Sequence, residues 1–324
     1  MKLSTVICTY NGSAYIREQI DSILGQSVPV DEIVVCDDGS VDGTVDIVLK
    51  RFKEVGYINY LVLQGDRHYG VSENFLRGLK ASSGDYVFTC DQDDVWCVDK
   101  VRLFTKAMEA TAKDLYFSDG YVVDADLTRR KYSLWDTLDF SVEQLEMHNV
   151  FDILLKHCVV TGSAMAVSRQ LINSIDVVPD GWLHDGWLAM AAAVRDSIEP
   201  IDCKTYLYRQ HGSNAVGASS STLAGRIRAW ANNIGEQPRV RTERRNRYKA
   251  ARNLLERDSP QLDECVSFWE TLCSLETASL PSGAKTVAGL FAKGMYDKYY
   301  TGARGALRDV LWLAGLGSKS ASGR

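Results

Sequence analysis

Residues 85–96 read Asp85-Tyr86-Val87-Phe88-Thr89-Cys90-Asp91-Gln92-Asp93-Asp94-Val95-Trp96. A short apolar run of strand length gives way at once to three carboxylates within four residues. The run reads as a buried β-strand. Carboxylates gathered at its end are electrostatically costly unless a cation compensates them. Two earlier runs end the same way. Residues 3–8 lead into Thr9-Tyr10-Asn11-Gly12, and residues 32–36 into Asp37-Asp38-Gly39-Ser40. Between them, Ile16, Ile20, Ile23 and Leu24 recur at helical spacing within residues 13–26. Further helices are predicted over 43–52 and 71–81, and further strands over 57–63 and 115–118. Such alternation with short loops predicts an α/β fold with a parallel sheet covered by helices on both faces. Ligands of such sheets bind beyond the carboxyl ends of the strands. One polar cluster at a strand end is an ordinary turn or helix cap. Three on one edge point to a site.

Composition frames that reading. The chain has 324 residues, 45% hydrophobic and 24% charged, which excludes a disordered or collagen-like chain and a small disulfide scaffold. Its net charge of -5 is an average of two opposed segments. Residues 1–216 hold 20 basic and 32 acidic side chains, or -12, leaving 17 basic and 10 acidic, or +7, for residues 217–324. The acidic part calls for a cation or a neutral polar ligand and excludes nucleic acid as its partner. None of the eight cysteines stands at C-x-x-C spacing, so neither a zinc site nor a redox dithiol is expected. The first five residues enter a strand pattern directly, which predicts a cytoplasmic chain without a secretory leader. No apolar run reaches the roughly 18 residues of a membrane span. Residues 119–210 lose the regular alternation. After residue 214 the periodicity predicts helices over 223–234, 240–257, 261–280 and 284–317.

The acidic cluster sets the chemistry. Hard oxygen donors suit Mg²⁺ or Mn²⁺, and Mg²⁺ is commonly held by one or two carboxylates together with substrate phosphates. Asp91, Asp93 and Asp94 therefore predict a metal-bridged diphosphate.

Thr9-Tyr10-Asn11, the segment Val34 to Ser40 and Asp91-Gln92-Asp93-Asp94-Val95-Trp96 together resemble family 2 glycosyltransferases, in order and spacing, over about residues 3–217. The variant Asp-Gln-Asp-Asp-Val-Trp, with Tyr208-Arg209-Gln210-His211-Gly212 downstream, is most similar to bacterial cell-surface polysaccharide enzymes of the rhamnosyltransferase type. The resemblance implies the GT-A fold, a Rossmann-like mixed sheet that binds a nucleoside-diphosphate sugar. It implies nucleotide-sugar binding in residues 1–120, an acceptor side in 121–217 and a helical C-terminal region in 218–324.

Site residues follow position by position from the same resemblance. Tyr10 and Asp38, flanked by Thr9 and Asn11, match residues that hold the nucleotide base by stacking and by a hydrogen bond to its imide NH. Asp37 is the alternative partner, or shapes the turn. Asp91, Gln92 and Asp93 match the region contacting ribose and diphosphate, and Asp93 or Asp94 the metal ligand. His211 matches a histidine that reaches the metal or the leaving diphosphate. Asn74 lies in the segment 70–74 where donor contacts are common, and Arg67 before it reads as a surface arginine. Asp185, in Trp182-Leu183-His184-Asp185-Gly186-Trp187, matches the general base. His184 stands where the family usually carries Glu. Thr161-Gly162-Ser163 resembles the acceptor-side loop. Gly162, His184, Trp96, Trp182 and Trp187 complete the acceptor set, the tryptophans serving either as sugar platforms or as core. The Gln-x-x-Arg-Trp motif of processive members is absent, which implies a single addition.

The implied partners are a dTDP- or UDP-linked sugar and a glycan or lipid-linked acceptor. Arg226, Arg228, Arg239, Arg241, Arg244, Arg245, Arg247, Lys249 and Arg252 crowd the C-terminal region beside Leu223, Ile227, Trp230 and Ile234. That pattern suits peripheral contact with the inner face of an anionic membrane, or a homo-oligomer interface. Two other classes share the acidic strand ends. A GT-A module without catalysis would bind a nucleotide-sugar or glycan and yield no product. A nucleotidyltransferase would carry a Gly-rich, Lys-containing loop after strand one, and Asn11-Gly12-Ser13 is not that loop.

Overall fold

In the computed structural model, residues 1–211, 234–255 and 259–316 are described, and they form two compact units. The first comprises residues 1–150, 159–178 and 182–211; the second comprises 151–158, 179–181 and the described residues from 234 onward. The expected helix over 223–234 lies, but for its last residue, outside the described residues, as do Arg226, Arg228 and the expected division at residue 217.

The first unit opens with β1 (Leu3–Thr9), α1 (Ile16–Leu24), β2 (Glu32–Asp37), α2 (Thr44–Val55), β3 (Tyr60–Gln64), α3 (Val71–Ala81) and β4 (Tyr86–Asp91). There follow β5 (Val95–Trp96), α4 (Lys100–Thr111), β6 (Leu115–Val123), β7 (Arg129–Ser133), α5 (Leu134–Thr137), α6 (Val150–Lys156), β8 (Met165–Ser168), α7 (Arg169–Ser174), α8 (His184–Ala193) and β9 (Ile198–Arg209). One sheet takes all nine strands in the order β3-β2-β1-β4-β8-β6-β9-β5, with β7 on β6.

Alternation along the strands explains the layers. Leu3, Ile7, Ile33, Val35, Phe88 and Cys90 share one buried cluster with Ile16, Ile20 and Ile23 of α1, Val48 and Phe52 of α2, and Val101 and Phe104 of α4. Each such side chain contributes about 1.5–3 kcal/mol on burial. The opposite face packs on α3, where Gly78 lies so close that a Cβ there would stand 2.5 Å from Val6 Cγ1 and 2.7 Å from Cys36 Sγ. Both faces are covered, which is why these strands read as continuous apolar runs.

The sheet is mixed rather than wholly parallel. β1 to β4 run parallel, β8 pairs antiparallel with both β4 and β6, and β6 pairs parallel with β9. The antiparallel β8 thus restores the original direction in β6 and β9. The carboxyl ends of β1, β2, β4, β6 and β9 consequently share one edge, and the turn entering β8 joins them there. Strand-end residues 9, 37, 91 and 209 converge for this reason.

The second unit is helical. Its elements are α9 (Gln237–Leu254), α10 (Pro260–Cys273), α11 (Leu280–Ala292), α12 (Met295–Tyr299) and α13 (Ala303–Leu313), and most of α6 belongs with them. The stretch expected as one helix over 284–317 is broken where Gly294 (φ 70°) and Gly302 (φ 58°) take left-handed backbone. Phe268, Trp269, Tyr296 and Tyr299 are buried together. Beside them Arg241 forms a buried bidentate pair with Asp309 Oδ1, at 2.6 and 3.2 Å, and Tyr296 donates its hydroxyl to Asp309 Oδ2 at 2.6 Å. No helix among the described residues is long and apolar enough to cross a membrane. Replacing Arg241 by Met strands the Asp309 carboxylate in the interior. Thermal or urea denaturation is expected to show a loss of about 3–5 kcal/mol.

Candidate active site

The strand-end turns are built by carboxylates. Asp37 accepts from Thr9 Oγ1 (2.8 Å), Gly39 N (3.1 Å), Ser40 N (2.9 Å) and Ser40 Oγ (2.5 Å), so it closes the turn after β2 and ties it to β1. Asn11, in left-handed backbone (φ 49°), accepts from Val41 N at 3.0 Å. Gln92 works as a strap. Its Oε1 accepts from Tyr10 N (2.8 Å) and its Nε2 donates to Tyr10 O (3.1 Å), extending the β1–β4 pairing by one residue. Asp38 is buried and accepts from Tyr69 N (2.5 Å) and Gly70 N (3.0 Å), with His68 Nδ1 at 2.9 Å. Tyr10 is 49% exposed, with its ring 4.8 Å from that of His68.

Thr9, Tyr10, Asn11, Asp37, Asp38 and Gln92 thus gather at one edge. Asn74 does not present itself there. It is buried, donating Nδ2 to Cys36 O at 2.8 Å and accepting from Arg77 at 2.7 Å, which pins α3 to β2.

Around the acidic turn, Arg209 does most of the tethering. Its backbone N–H reaches Asp94 Oδ1 (3.0 Å), its Nε the carbonyl of Asp93 (2.7 Å) and its Nη1 the carbonyl of Ala125 (2.6 Å), while Nη2 pairs with Glu18. Two residues on, His211 Nε2 stands 2.8 Å from Asp93 Oδ2, its ring stacked on Tyr15 at 4.7 Å. Asp94 is buried; the Ser163 hydroxyl faces its carboxylate, and among the described residues its Oδ2 has no partner at hydrogen-bonding geometry. Burial, followed by the charges of Asp93 and Asp185, pushes the Asp91 carboxyl up to about 7. Burial, then Asp91 and Asp93, pushes Asp94 well above the usual carboxylate range. Four carboxylates from two distant segments therefore share one field.

The fourth, Asp185, stands in the first turn of α8. Gly162 N donates to its Oδ2 at 3.1 Å and Gly186 N to its Oδ1 at 2.6 Å. Gly162 must be glycine, since a Cβ would lie 2.6 Å from His184 Nε2. His184 is buried, stacks on Phe75 at 4.0 Å, and is held neutral-favouring by burial. It braces the start of α8 from inside. The tryptophans expected to face an acceptor are core residues. Trp187 is 2% exposed and packs edge-on against the buried Trp182, while Trp96 packs on Phe88. Of the two roles open to them, sugar platform or core, burial decides for core.

Sequence reasoning missed Lys100. It is fully buried, donates Nζ to Ser163 O at 2.8 Å, and lies over Trp96 (4.3 Å) and Tyr206 (4.9 Å). Burial lowers its ammonium to about 8, against the attraction of Asp94 and Asp91. A lone charge one turn after Trp96 was the available signal. His68 was missed too, because a loop histidine carries no pattern.

The donors fit a hard divalent cation in kind, carboxylate oxygen plus imidazole. The orphaned Asp94 Oδ2 is a buried acceptor with spare capacity. Among the described residues no three of these side chains form a ready-made cage.

Comparison with known proteins places this geometry. A family model described as glycosyl transferase family 2 matches residues 4–175, just over half the chain. The chain is 29% identical over 225 residues to dTDP-rhamnosyl transferase RfbG of Shigella flexneri, covering 67% of this chain and 76% of that protein. Among solved structures, S. aureus TarS 1–349 in complex with UDP-GlcNAc matches with a TM-score of 0.59 at 15% identity, over 98% of this chain and 91% of that one. The mannosyltransferase PcManGT from Pyrobaculum calidifontis, in complex with GDP-Man and Mn²⁺, matches with a TM-score of 0.56 at 16% identity, over 99% and 88%. The architecture is the GT-A fold with added C-terminal helices.

Two outcomes follow from the geometry. Gly162→Ala forces His184 aside and is expected to cost about 1–3 kcal/mol of stability by denaturant titration. Between the ordinary Asp value of 3.8 and the Asp91 value of about 7, the folded chain holds a proton that the unfolded chain has released. Stability of the metal-free protein should accordingly fall as pH rises through that window. Melting temperatures across it should show this fall, with a shallower slope for Asp91→Asn.

Proposed function

Because this chain belongs to glycosyl transferase family 2 and is a glycosyltransferase, we propose that it moves a single sugar, with inversion, from a nucleoside diphosphate to a glycan or lipid-linked acceptor. The observation that carries this reading is the shared field of Asp91, Asp93, Asp94 and Asp185 at one sheet edge, with His211 against Asp93. A rhamnosyl donor on dTDP is favoured by the RfbG relative, with UDP as the other nucleotide. Residues 1–217 act as the catalytic part and 218–324 as the helical extension, working at the cytoplasmic side.

In this mechanism Tyr10 offers an exposed ring for the base, and Asp38 fixes the loop that faces it. Asp93, His211 and Asp94 would hold Mg²⁺ or Mn²⁺. Bound there, the cation supplies positive charge to the donor diphosphate. Asp185, aimed by the N–H groups of Gly162 and Gly186, takes the proton of the acceptor hydroxyl. The acceptor oxygen bonds to the anomeric carbon from the face opposite the departing diphosphate, which leaves with the bonding pair. Arg209 and Lys100 keep the acidic turn and the Gly162 turn in register, one through Asp93 O and the other through Ser163 O.

The test is turnover of dTDP- and UDP-sugars with Mn²⁺ or Mg²⁺ against extracted cell-envelope acceptors. Asp185→Asn should lower kcat by about 10²–10⁴-fold with donor affinity retained. Asp93→Asn should weaken donor binding in the presence of metal. Wild-type activity that survives both changes defeats these assignments. Donor binding without product from any acceptor would favour a binding module instead.

A further inference from the structure

The last described helix is inverted with respect to its surroundings. On α13 the acidic residue, Asp309, is fully buried against Arg241 and Tyr296. Ala303, Leu307, Leu311 and Ala314 recur at spacings of four, four and three, so they form a stripe on the side away from Asp309. Leu307 is 51% exposed, and Leu316 just beyond the helix is 66% exposed. An amphipathic helix packed on one partner layer normally turns its leucines inward.

Along α11 and α13 the exposed charge is basic, and Asp297 beside Gly302 is the carboxylate at the α13 N-terminus. Arg304 and Arg308 run along one side of the stripe; Arg308 rests over the Tyr300 ring at 5.1 Å and donates to Thr301 Oγ1 at 2.7 Å, and among the described residues neither pairs with a carboxylate. Neighbouring α11, which receives Leu313 against Gly283, carries Lys285 and no acidic residue. Apart from the buried Asp309, α11 and α13 contain no carboxylate. The sequence of 317–324 adds Lys319 and Arg324 and no acidic side chain.

The basic helix α9 is different. Arg239 pairs with Glu236 and Glu243, Arg241 with Asp309, Lys249 with Glu270 and Arg252 with Asp263. Four of its seven cations are thus matched by carboxylates, and α9 presents no leucine stripe beside the others, whereas α13 offers apolar side chains with cations alongside.

We propose that the outer face of α13, through Leu307 and Leu311 with Arg304 and Arg308 at its rim, docks on an anionic lipid surface. Apolar side chains enter the headgroup boundary while the guanidinium groups meet lipid phosphates. Each arginine contributes about a fivefold gain in partitioning onto anionic lipid.

The experiment floats the full chain with vesicles of phosphatidylcholine alone, and of phosphatidylcholine with about one third phosphatidylglycerol, at low and high salt. Capture by the anionic vesicles only, released by salt, is expected. Leu307→Ser with Leu311→Ser should reduce capture about tenfold, and Arg304→Gln about fivefold, at unchanged melting temperature. Equal capture by neutral vesicles, or undiminished capture of the double serine variant, overturns the proposal. So does a wild-type dimer in light scattering that the double variant dissolves, since a second copy would then cover the stripe. None of these readouts depends on sugar transfer, so this inference and the transferase reading fail separately.

Discussion

The constraint on which the first unit depends is the repulsion among carboxylates packed at the end of β4. Asp91, Asp93 and Asp94 lie within four residues, and Asp185 is brought into the same field from a helix start far along the chain. In a partly buried site such charges raise one another's proton affinity, and a protein tolerates that only where surrounding structure over-determines the geometry. Here Arg209 ties the turn through its backbone and two carbonyls, and Gln92 straps it to β1. The side chains of Arg209 and Lys100 bond the carbonyls of Asp93 and Ser163 and not the carboxylates of the acidic turn. Such incomplete compensation is what a site for an external cation requires.

Topology explains why these supports arrive from so many segments. A purely parallel sheet would bring strand ends 9, 37 and 91 together and stop. Inserting the antiparallel β8 between β4 and β6 lets two further strands end on the same edge. One of them, β9, delivers Arg209 and then His211. The short turn before β8 delivers Gly162, whose missing side chain lets the Asp185 carboxylate and the His184 ring approach its backbone. A single reversal in strand direction thus joins the acidic turn to the proposed base.

The sequence made the first four strands and three helices legible, because each is a local pattern bounded by polar turn residues. The fifth strand was placed but cut short, with β6 continuing to Val123. β7, β8 and all but the strand-like end of β9 at 207–209 went unread, since their pairings join segments far apart in the chain and their residues alternate only partly. The site was legible as a set of acidic and polar strand ends. Division of labour within that set was not. Asp37 and Gln92 look identical in kind to ligand-binding residues, yet their hydrogen bonds go to backbone groups and, for Asp37, to the Thr9 and Ser40 hydroxyls of the adjoining turns. Trp182 and Trp187, read as alternatives between platform and core, are core because α8 is buried along nearly its whole length. Lys100 offers only a lone charge one turn after Trp96, and nothing in that announces an aromatic enclosure.

The two units show how one rule separates structural from functional buried charge. In the helical unit, Asp309 is met by a bidentate arginine and a tyrosine hydroxyl, so its charge is neutralised and its oxygens are satisfied. Such a pair fixes the placement of helices and has no capacity left for a ligand. In the sheet unit, Asp94 keeps a buried oxygen without a hydrogen-bond partner among the described residues, and Asp91 keeps a proton affinity far above that of a solvated carboxylate. Both deficits are removed by the same event, the arrival of positive charge. Net charge alone would not distinguish these cases, because -5 averages a region short of cations with one where carboxylates are matched. The distinguishing quantity is the partner each buried oxygen lacks.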